Sequence, residues 1–264
     1  NHSGGNPATV IEHWEDGQYR ARLVYSDAAV ELFSVKENGV LEALVDVVKH
    51  TGNGPGRKQL CAHPHSAVLS PSGKLFAVAD KGNDTIRFYQ IQGRKLVQKG
   101  HTYHLPAGSE ARYLLFHPTR PYFYVNHEHC NAVRCFRYTE EGEIELQAEI
   151  GVFSENIQAG PKGEGQGFRI TQDGKYIYMA YHDPCMIAVF RTEEDGTLTL
   201  LQNKMVPVEW LRGLTLSPDE RFLVVSGMTD GKILVYQIHE DGLLTDTGIT
   251  AEQSAPAYLT FYRC

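Results

Sequence analysis

One pattern of short apolar runs and turns recurs five times along the chain, and it limits the possible folds more than any other feature of the sequence. In the third copy, alternating apolar runs at residues 113–116 and 122–125 flank a turn-rich segment around Arg120, as in an antiparallel hairpin. The equivalent turns lie at residues 17, 73, 120, 174 and 220, so the intervals are 56, 47, 54 and 46 residues. Four-stranded units that repeat every roughly 40–50 residues are typical of β-propeller blades.

No segment shows a 3.6-residue period of helix length, so the sequence predicts an all-β protein with antiparallel sheets. We expect one β-propeller domain over residues 1–264, with four-stranded blades at about 6–50, 61–100, 108–150, 163–205 and 209–250. One extra strand is predicted at 256–262. Closed propellers normally pair a lone terminal strand with strands from the other terminus. This chain begins with a first strand of its own, so we expect that upstream blades are missing; the alternative is a five-bladed ring with a surplus strand.

Composition and charge exclude several classes of protein. The net charge is −7 and no Lys/Arg cluster exceeds two residues, which disfavours binding to nucleic acid or to an anionic membrane. The chain is 42% hydrophobic but has no long apolar run, as expected of a globular protein without membrane spans. The first five residues lack a signal-peptide pattern. Nothing in the sequence sets the oligomeric state.

The cysteines indicate a reducing compartment. There are five, an odd number, at irregular positions and without a C-x-x-C pair. Cys130 and Cys135 flank a predicted turn, and we expect free thiols there rather than a disulfide bond. We therefore expect a cytoplasmic protein.

Counting from the turns brings polar residues to one rim of the predicted propeller. Eight residues before each turn stand Thr9, His65, Arg112, Gln166 and Arg212, and eight residues after stand Tyr25, Lys81, Glu128, His182 and Met228. Equal arms of a hairpin place such residues side by side, and inner strands of successive blades converge at one mouth of the channel. A carboxylate, imidazoles and two guanidiniums there would form an anion site with acid–base capacity.

Several motifs resemble those of the seven-bladed lactonase family, which includes the bacterial-type propeller 6-phosphogluconolactonases and the fungal carboxy-muconate lactonising enzymes. The resemblance covers residues 6–261 and aligns Asn6 with the start of the family's third blade. The motifs that carry it, in chain order, are His63-Pro64-His65-Ser66, Asp80-Lys81-Gly82-Asn83-Asp84, Arg112 with Glu128, and Arg212-Gly213. The chain departs from the family at Gln166-Gly167-Phe168, at Tyr181-His182 and at Gly227-Met228.

The resemblance implies a lactone hydrolase for a small anionic sugar lactone, with 6-phosphogluconolactone as the best single candidate, and no cofactor or metal. Opening a lactone needs a base for water, donors for the oxyanion and cations for an anionic substrate. We assign His65 or Glu128 as the base, and Arg112 and Arg212 as the groups that hold the anion and stabilise the oxyanion. His63, His182 and Gln166 are further candidates for substrate binding. The alternatives are a muconate-type cycloisomerase that uses the same pocket and a non-catalytic scaffold.

Structural roles compete with each of these assignments. Arg112 and Glu128 could form an ordinary ion pair, and His63 and His65 could be core histidines bonded to backbone carbonyls. Arg212 could bind a carbonyl of the next blade, and Asp80 and Asp84 could cap a turn. The i, i+2 pairs His63/His65 and His127/His129 could chelate a metal, but each would need a third ligand from another blade. The sequence has no G-x-S-x-G elbow, which disfavours covalent serine catalysis.

Overall fold

The computed structural model describes residues 11–13, as backbone, 19–25 and 27–261. These residues form twenty β-strands and no helix, which confirms the all-β prediction. Within them, no helix has the length and apolar character needed to span a bilayer.

The strands form five four-stranded sheets in which consecutive strands are hydrogen-bonded neighbours. Each of the five predicted repeats corresponds to one sheet. The first sheet holds β1 (Ile11–His13), β2 (Tyr19–Val24), β3 (Ala29–Val35) and β4 (Leu41–Lys49). The second holds β5 (Pro64–Leu69), β6 (Phe76–Asp80), β7 (Thr85–Gln92) and β8 (Lys95–His104). The third holds β9 (Ala111–Phe116), β10 (Tyr122–His127), β11 (Ala132–Tyr138) and β12 (Ile144–Gly151). The fourth holds β13 (Glu164–Ile170), β14 (Tyr176–His182), β15 (Met186–Thr192) and β16 (Leu198–Met205). The fifth holds β17 (Leu211–Leu216), β18 (Phe222–Gly227), β19 (Lys232–Ile238) and β20 (Leu244–Glu252).

The contacts between Cα atoms divide the chain into two compact units. The first unit is the chain up to Phe116 together with Pro121–Val125 and Phe136–Leu146. The second unit is His117–Arg120, Asn126–Cys135 and the chain from Gln147 onward. The single domain expected from the sequence stays a prediction.

An aromatic cluster forms much of the core of the first unit. Phe123 stacks on Phe136 with ring centroids 4.8 Å apart, and Phe88 meets Phe123 edge-on at 5.7 Å. Phe116 and Tyr138 complete the cluster at 4.9 Å. These rings are buried because β7, β9, β10 and β11 direct them to one face, and such aromatic pairs add to the stabilisation from burial itself.

The core of the second unit lies on its middle strands. β15 is buried at nearly every position, whereas β20, the last strand of its sheet, is mostly exposed. Tyr178, Val189 and Leu223 pack with further aliphatic side chains of β17 to β19. A strand covered on both faces has a nearly continuous apolar sequence, which explains the run Met186–Thr192.

The turns between first and second strands repeat the same chemistry. Gly174 has φ +75° and donates its N–H to the carbonyl of Thr171 at 2.9 Å. Gly73 has φ +71° and bonds Ser70 in the same way at 2.8 Å. Glycine adopts this left-handed conformation at little cost, so the Asp-Gly and Ser-Gly signals located these turns correctly.

The predicted extra strand at 256–262 is wrong for residues 256–261, which form no strand; residue 262 lies outside the described residues. Pro256 has no N–H to donate to a ladder, and its carbonyl accepts a hydrogen bond from Ser226 Oγ at 2.6 Å instead. The alternating apolar pattern that suggested a strand leaves Tyr258 72% exposed. The segment therefore lies against the fifth sheet by a side-chain contact rather than by strand pairing.

Candidate functional site

Three of the strands that carry predicted site residues, β5, β13 and β17, share a local irregularity. The pairing of β5 with β6 shifts between Pro64 and Ser66, so His65 is the extra residue of a β-bulge. The pairing of β17 with β18 shifts between Leu211 and Gly213, which places Arg212 in the same position. In β13 the shift falls between Gly165 and Phe168 and includes Gln166. Bulges re-aim side chains and are common beside active sites.

These bulges contradict the equal-arm pairing. His65 does not stand opposite Lys81, because Pro64 pairs with Asp80 and Ser66 with Ala79. His182 pairs with Glu164 rather than with Gln166. In the fifth sheet Leu211 pairs with Gly227, so the residue across from this part of β17 is Gly227 and not Met228. Each extra residue shifts the register, which a count from the turn cannot detect. For Arg112 and Glu128, which belong to different units, side-by-side placement stays a prediction.

In the first unit, the structure groups His65 and Arg112 around two tyrosines. The ring of His65 meets Tyr113 edge-on, with centroids 5.2 Å apart, and meets Tyr25 edge-on at 6.0 Å. The guanidinium of Arg112 lies over the ring of Tyr113, 5.5 Å from its centroid. His65 is half-buried, whereas Arg112 is only 4% exposed. His65 and Arg112 therefore both contact Tyr113; Tyr25 stood at a register position in the sequence count, whereas Tyr113 was not selected as a site residue.

His63 has a structural role in this cluster. Its ring stacks on Tyr25 with centroids 4.2 Å apart, and its Nδ1 lies 3.1 Å from the carbonyl oxygen of Tyr25. The backbone N–H of His63 donates to Asp80 Oδ1 at 2.7 Å. These contacts match the core-histidine alternative more closely than direct substrate binding.

The loop from Asp80 to Asp84 binds the two chain segments that precede His65 and Arg112. Asp80 is fully buried and also accepts a hydrogen bond from Gly82 N at 2.9 Å, while His50 Nδ1 lies 2.7 Å from its other oxygen. Asp84 accepts from Gly108 N at 2.6 Å and from Glu110 N at 2.7 Å, just before the strand of Arg112. The turn-capping interpretation of both aspartates is therefore supported by their contacts.

Two further charged residues near this loop were not predicted as site residues. Lys81 Nζ lies 3.4 Å from Glu110 Oε2, and both side chains are almost fully buried. A buried pair contributes less than its attraction suggests, because both charges lose hydration, but removing one partner is costly. Lys81 stands eight residues after the turn at residue 73, and this position is the sequence signal that could have identified it as a site residue.

In the second unit, Glu128 and Gln166 are buried beside the bulge of β13. The carbonyl of Glu128 accepts a hydrogen bond from Gly165 N at 3.0 Å, and Asn126 Nδ2 donates to the carbonyl of Gln166 at 2.8 Å. Gln166 Nε2 donates to Glu164 Oε2 at 3.1 Å. The Glu128 side chain is 3% exposed. The structure therefore brings these two predicted residues to neighbouring positions of one unit.

The pair His127/His129 is poorly suited to chelation. A guanidinium nitrogen of Arg134 lies 2.9 Å from His127 Nε2, so a cationic donor already faces that ring. His129 Nε2 lies 3.9 Å from a Glu128 oxygen. A metal ion at His127 would be repelled by the arginine.

His182 and Trp210 form a second aromatic element of this unit. Their rings stack with centroids 4.7 Å apart and an interplanar angle of 11°. Burial, the largest effect, lowers the pKa of His182 below its ordinary value of 6.5, so the ring is neutral at pH 7. Trp210 lies in the connection between β16 and β17, outside the register count, and the sequence did not identify it.

Arg212 is half-buried on β17, and no hydrogen bond or ion pair to its guanidinium occurs within the described part of the chain. The alternative role, a bond to a backbone carbonyl, has no support in those residues. A guanidinium in this state can bind an anion through two parallel N–H donors.

Comparison with known proteins points to one group. The family described as "Lactonase, 7-bladed beta-propeller" matches residues 1–261. The 6-phosphogluconolactonase of Bacillus subtilis (strain 168) is 29% identical over 254 residues, which are 94% of this chain and 71% of that protein.

Solved structures agree on the fold. A protein from Lactobacillus plantarum has a TM-score of 0.87 and 23% identity, over 96% of this chain and 73% of its own. The periplasmic gluconolactonase of Pseudomonas aeruginosa has a TM-score of 0.85 and 22% identity, over 93% of this chain and 70% of its own. At this level of identity, the likeness concerns the fold alone.

Proposed function

The chain belongs to the seven-bladed β-propeller lactonase family, and from this premise we propose that it hydrolyses a small sugar lactone, with 6-phosphogluconolactone as the substrate. Membership confirms the resemblance drawn from the sequence motifs. The name of the Bacillus subtilis relative supports the choice of substrate.

One observation carries the chemistry: the imidazole of His65 lies edge-on to Tyr25 and Tyr113, and the guanidinium of Arg112 lies over the ring of the same Tyr113. In the proposed reaction His65 takes a proton from water as the water oxygen attacks the lactone carbonyl carbon. Arg112 stabilises the oxyanion that forms. The ring C–O bond then breaks, and the leaving alkoxide takes up the proton held by the His65 imidazolium, which regenerates the neutral base and yields the open-chain hydroxy acid.

His65 is the preferred base because an imidazole suits proton transfer near neutral pH and this residue is half-buried rather than fully buried. Glu128 is the alternative base; its side chain is about as buried as that of Arg112. Arg212 is proposed to bind the substrate's anionic group, because the residue is half-buried and its guanidinium bonds no described residue. Gln166 and His182 are proposed to bind substrate, and His63 to hold the strand of His65 in place.

The test is a lactonase assay on phosphorylated and unphosphorylated gluconolactone, corrected for spontaneous hydrolysis. We expect His65→Asn to lower kcat by about 10²–10⁴-fold, the usual contribution of a general base. The matched control is His239→Asn, since His239 is an exposed histidine that bonds Thr245 Oγ1 at 2.8 Å. Full turnover by His65→Asn together with loss in Glu128→Gln would transfer the role of base to Glu128. Full turnover by both variants would refute the mechanism.

The arginines are tested in the same assay. Arg212→Lys keeps the charge but removes the bidentate donors, so we expect KM to rise about tenfold. Arg221→Lys is the matched control, because the Arg221 side chain is 72% exposed. Equal efficiency on both lactones would show that the phosphate is not recognised. Failure of both lactones while the protein converts a muconate would favour the cycloisomerase alternative.

We also propose a cytoplasmic location. The four cysteines within the described residues are free, including Cys130 and Cys135, as expected from the sequence. Free thiols are typical of a reducing compartment. Fractionation of cells that express the native gene, followed by immunodetection, tests this proposal, and recovery outside the cytoplasm would refute it.

A further inference from the structure

A cavity of about 660 Å³ opens in the second unit, lined by connections between strands and by His182 at the end of β14. Its size suits a small molecule, since ligand sites usually measure roughly 300–1,000 Å³. The side chains that matter most for its chemistry are Lys162, His182, Asp183, Glu209, Trp210 and Thr229. Only His182 among them is assigned a role by the proposed function.

The stacked rings of His182 and Trp210 form an aromatic wall of this cavity. Trp210 is half-buried, so part of its indole lies at the cavity rather than in the core. The negative face of an indole attracts weakly positive groups, including the C–H groups of a sugar ring. An aromatic wall with a few polar groups around it is typical of sites for small polar molecules.

Two ring nitrogens of this wall lack a protein partner. Within the described residues, neither Trp210 Nε1 nor His182 Nε2 has a hydrogen-bond partner, although both atoms are buried. A buried polar atom without a partner costs free energy, which a ligand hydroxyl can recover. Thr229 is exposed at the same cavity and adds a hydroxyl that can donate or accept.

The carboxylate of Asp183 is held in place at the rim. Its Oδ2 accepts a hydrogen bond from Lys162 N at 2.8 Å, and its backbone carbonyl accepts one from Gly160 N at 2.7 Å. These bonds tie the connection before β13 to the connection after β14. The cavity is thus bounded on this side by a fixed loop rather than by side chains alone.

The charges around the cavity oppose an anionic ligand. Of the charged residues that line it, two are acidic, Asp183 and Glu209, and one is basic, Lys162. His182 does not add a positive charge, because its burial favours the neutral ring. A phosphate or carboxylate would therefore meet net repulsion here, whereas hydroxyl groups could bond with either sign of charge.

We propose that this cavity binds an uncharged, polyhydroxylated six-membered ring, stacked on Trp210 and hydrogen-bonded by its hydroxyl groups to His182, Trp210 and Thr229. The inference rests on the proposed function only in taking that ring to be the sugar part of the lactone. It adds Trp210 and Thr229 as binding residues.

Trp210 can report this binding directly. The chain has two tryptophans, so a Trp14→Phe variant leaves Trp210 as the only indole fluorophore. The probe is 1,5-anhydroglucitol, a neutral ring sugar without a lactone carbonyl. We expect a saturable change in fluorescence with a Kd in the millimolar range, as is usual for a small polar ligand. Inorganic phosphate should give no saturable change.

Variants of the cavity decide the outcome. In the Trp14→Phe background, His182→Phe keeps an aromatic ring but removes Nε2, and Thr229→Val keeps the shape but removes the hydroxyl. Each should raise the Kd about fivefold, the effect of one lost hydrogen bond. Lys175→Met, which alters a 70% exposed lysine on a turn of the same unit, should leave the Kd unchanged. Absence of a saturable signal, unchanged affinity in both cavity variants, or tighter binding of phosphate would each overturn the proposal.

The two proposals can fail separately. Sugar binding without lactone hydrolysis would refute the proposed function and leave this inference intact. Hydrolysis by the wild-type protein without a fluorescence response would refute this inference alone.

Discussion

Replacing Asp84 tests whether one buried carboxylate organises the approach to the first-unit cluster. Asp84 has φ +53° and is 4% exposed. Its two oxygens accept hydrogen bonds from Gly108 N and Glu110 N, at 2.6 and 2.7 Å. Asp84→Ala removes both acceptors and keeps the backbone carbonyl, which continues to bond Leu105 N at 2.8 Å.

The expected cost follows from the burial of the two donors. Glu110 is 1% exposed, so its N–H would have no acceptor, at about 1–3 kcal/mol. Gly108 is half-buried, so water replaces part of its bond and the loss is about 1 kcal/mol. Alanine also adopts a positive φ less readily than aspartate, which adds about 1 kcal/mol. The sum is a loss of about 3–5 kcal/mol, a large share of typical domain stability.

Asp84→Asn removes the negative charge of the side chain and keeps its shape. Asparagine tolerates a positive φ and keeps one carbonyl oxygen, so we expect a smaller loss of about 1–2 kcal/mol. Urea-induced unfolding followed by fluorescence gives the free energies of unfolding. Asp195→Asn is the matched control, because Asp195 caps an exposed turn through Thr197. An Asp84→Ala protein as stable as the wild type would refute the assigned role of these two hydrogen bonds.

Three further predictions concern pH, thiol reactivity and packing. Burial, followed by the charge of Arg120, lowers the pKa of His117 to about 4, so the neutral ring is favoured in the fold. The neutral ring stabilises the fold fully above pH 6.5, and this stabilisation is lost as the pH falls toward about 4. In His117→Asn, the free energy of unfolding should therefore change less with pH between these values. An unchanged pH dependence would contradict a neutral His117 in the fold. Burial raises the pKa of Cys135 to about 12, so its thiol should react slowly. In a Cys264→Ser background, Ellman's reagent should modify exposed Cys61 first and Cys135 only on unfolding. Early modification of Cys135, detected by mass spectrometry, would contradict this. Phe88 is fully buried among Phe116, Phe123 and Tyr138, so Phe88→Ala should lower the free energy of unfolding by about 3–5 kcal/mol and Phe88→Leu by clearly less, whereas equal losses would point to a cause other than the cavity.

The sheet content and the turns could be predicted because they depend on local chemistry. Alternation of apolar residues and the Gly signals at Gly73 and Gly174 act within a few residues, so the pattern located all five sheets. The segment at 256–261 has the same alternation but forms no strand, because strand formation also requires a partner edge. No sequence pattern of that segment reports whether such an edge exists.

The site could be predicted only in part. The register count selected His65 and Arg112, which do lie around the same tyrosine, but it paired His182 with the wrong residue. Bulges arise from packing between sheets and from close backbone contacts, which hairpin length does not encode. Trp210 was missed for another reason, since it lies in an irregular connection without periodicity.

The displaced residues of β5 and β17 also bear on how such a chain can change. His65 and Arg212 stand where the ladder skips a residue, so their exchange for other amino acids leaves the cross-strand hydrogen bonds on either side intact. The side chains at these positions can therefore change while the sheet stays intact. A deletion there would remove the side chain proposed to act on the substrate and leave the alternation of the strand unchanged, because the residues on either side of the extra one already pair with consecutive residues of the neighbouring strand.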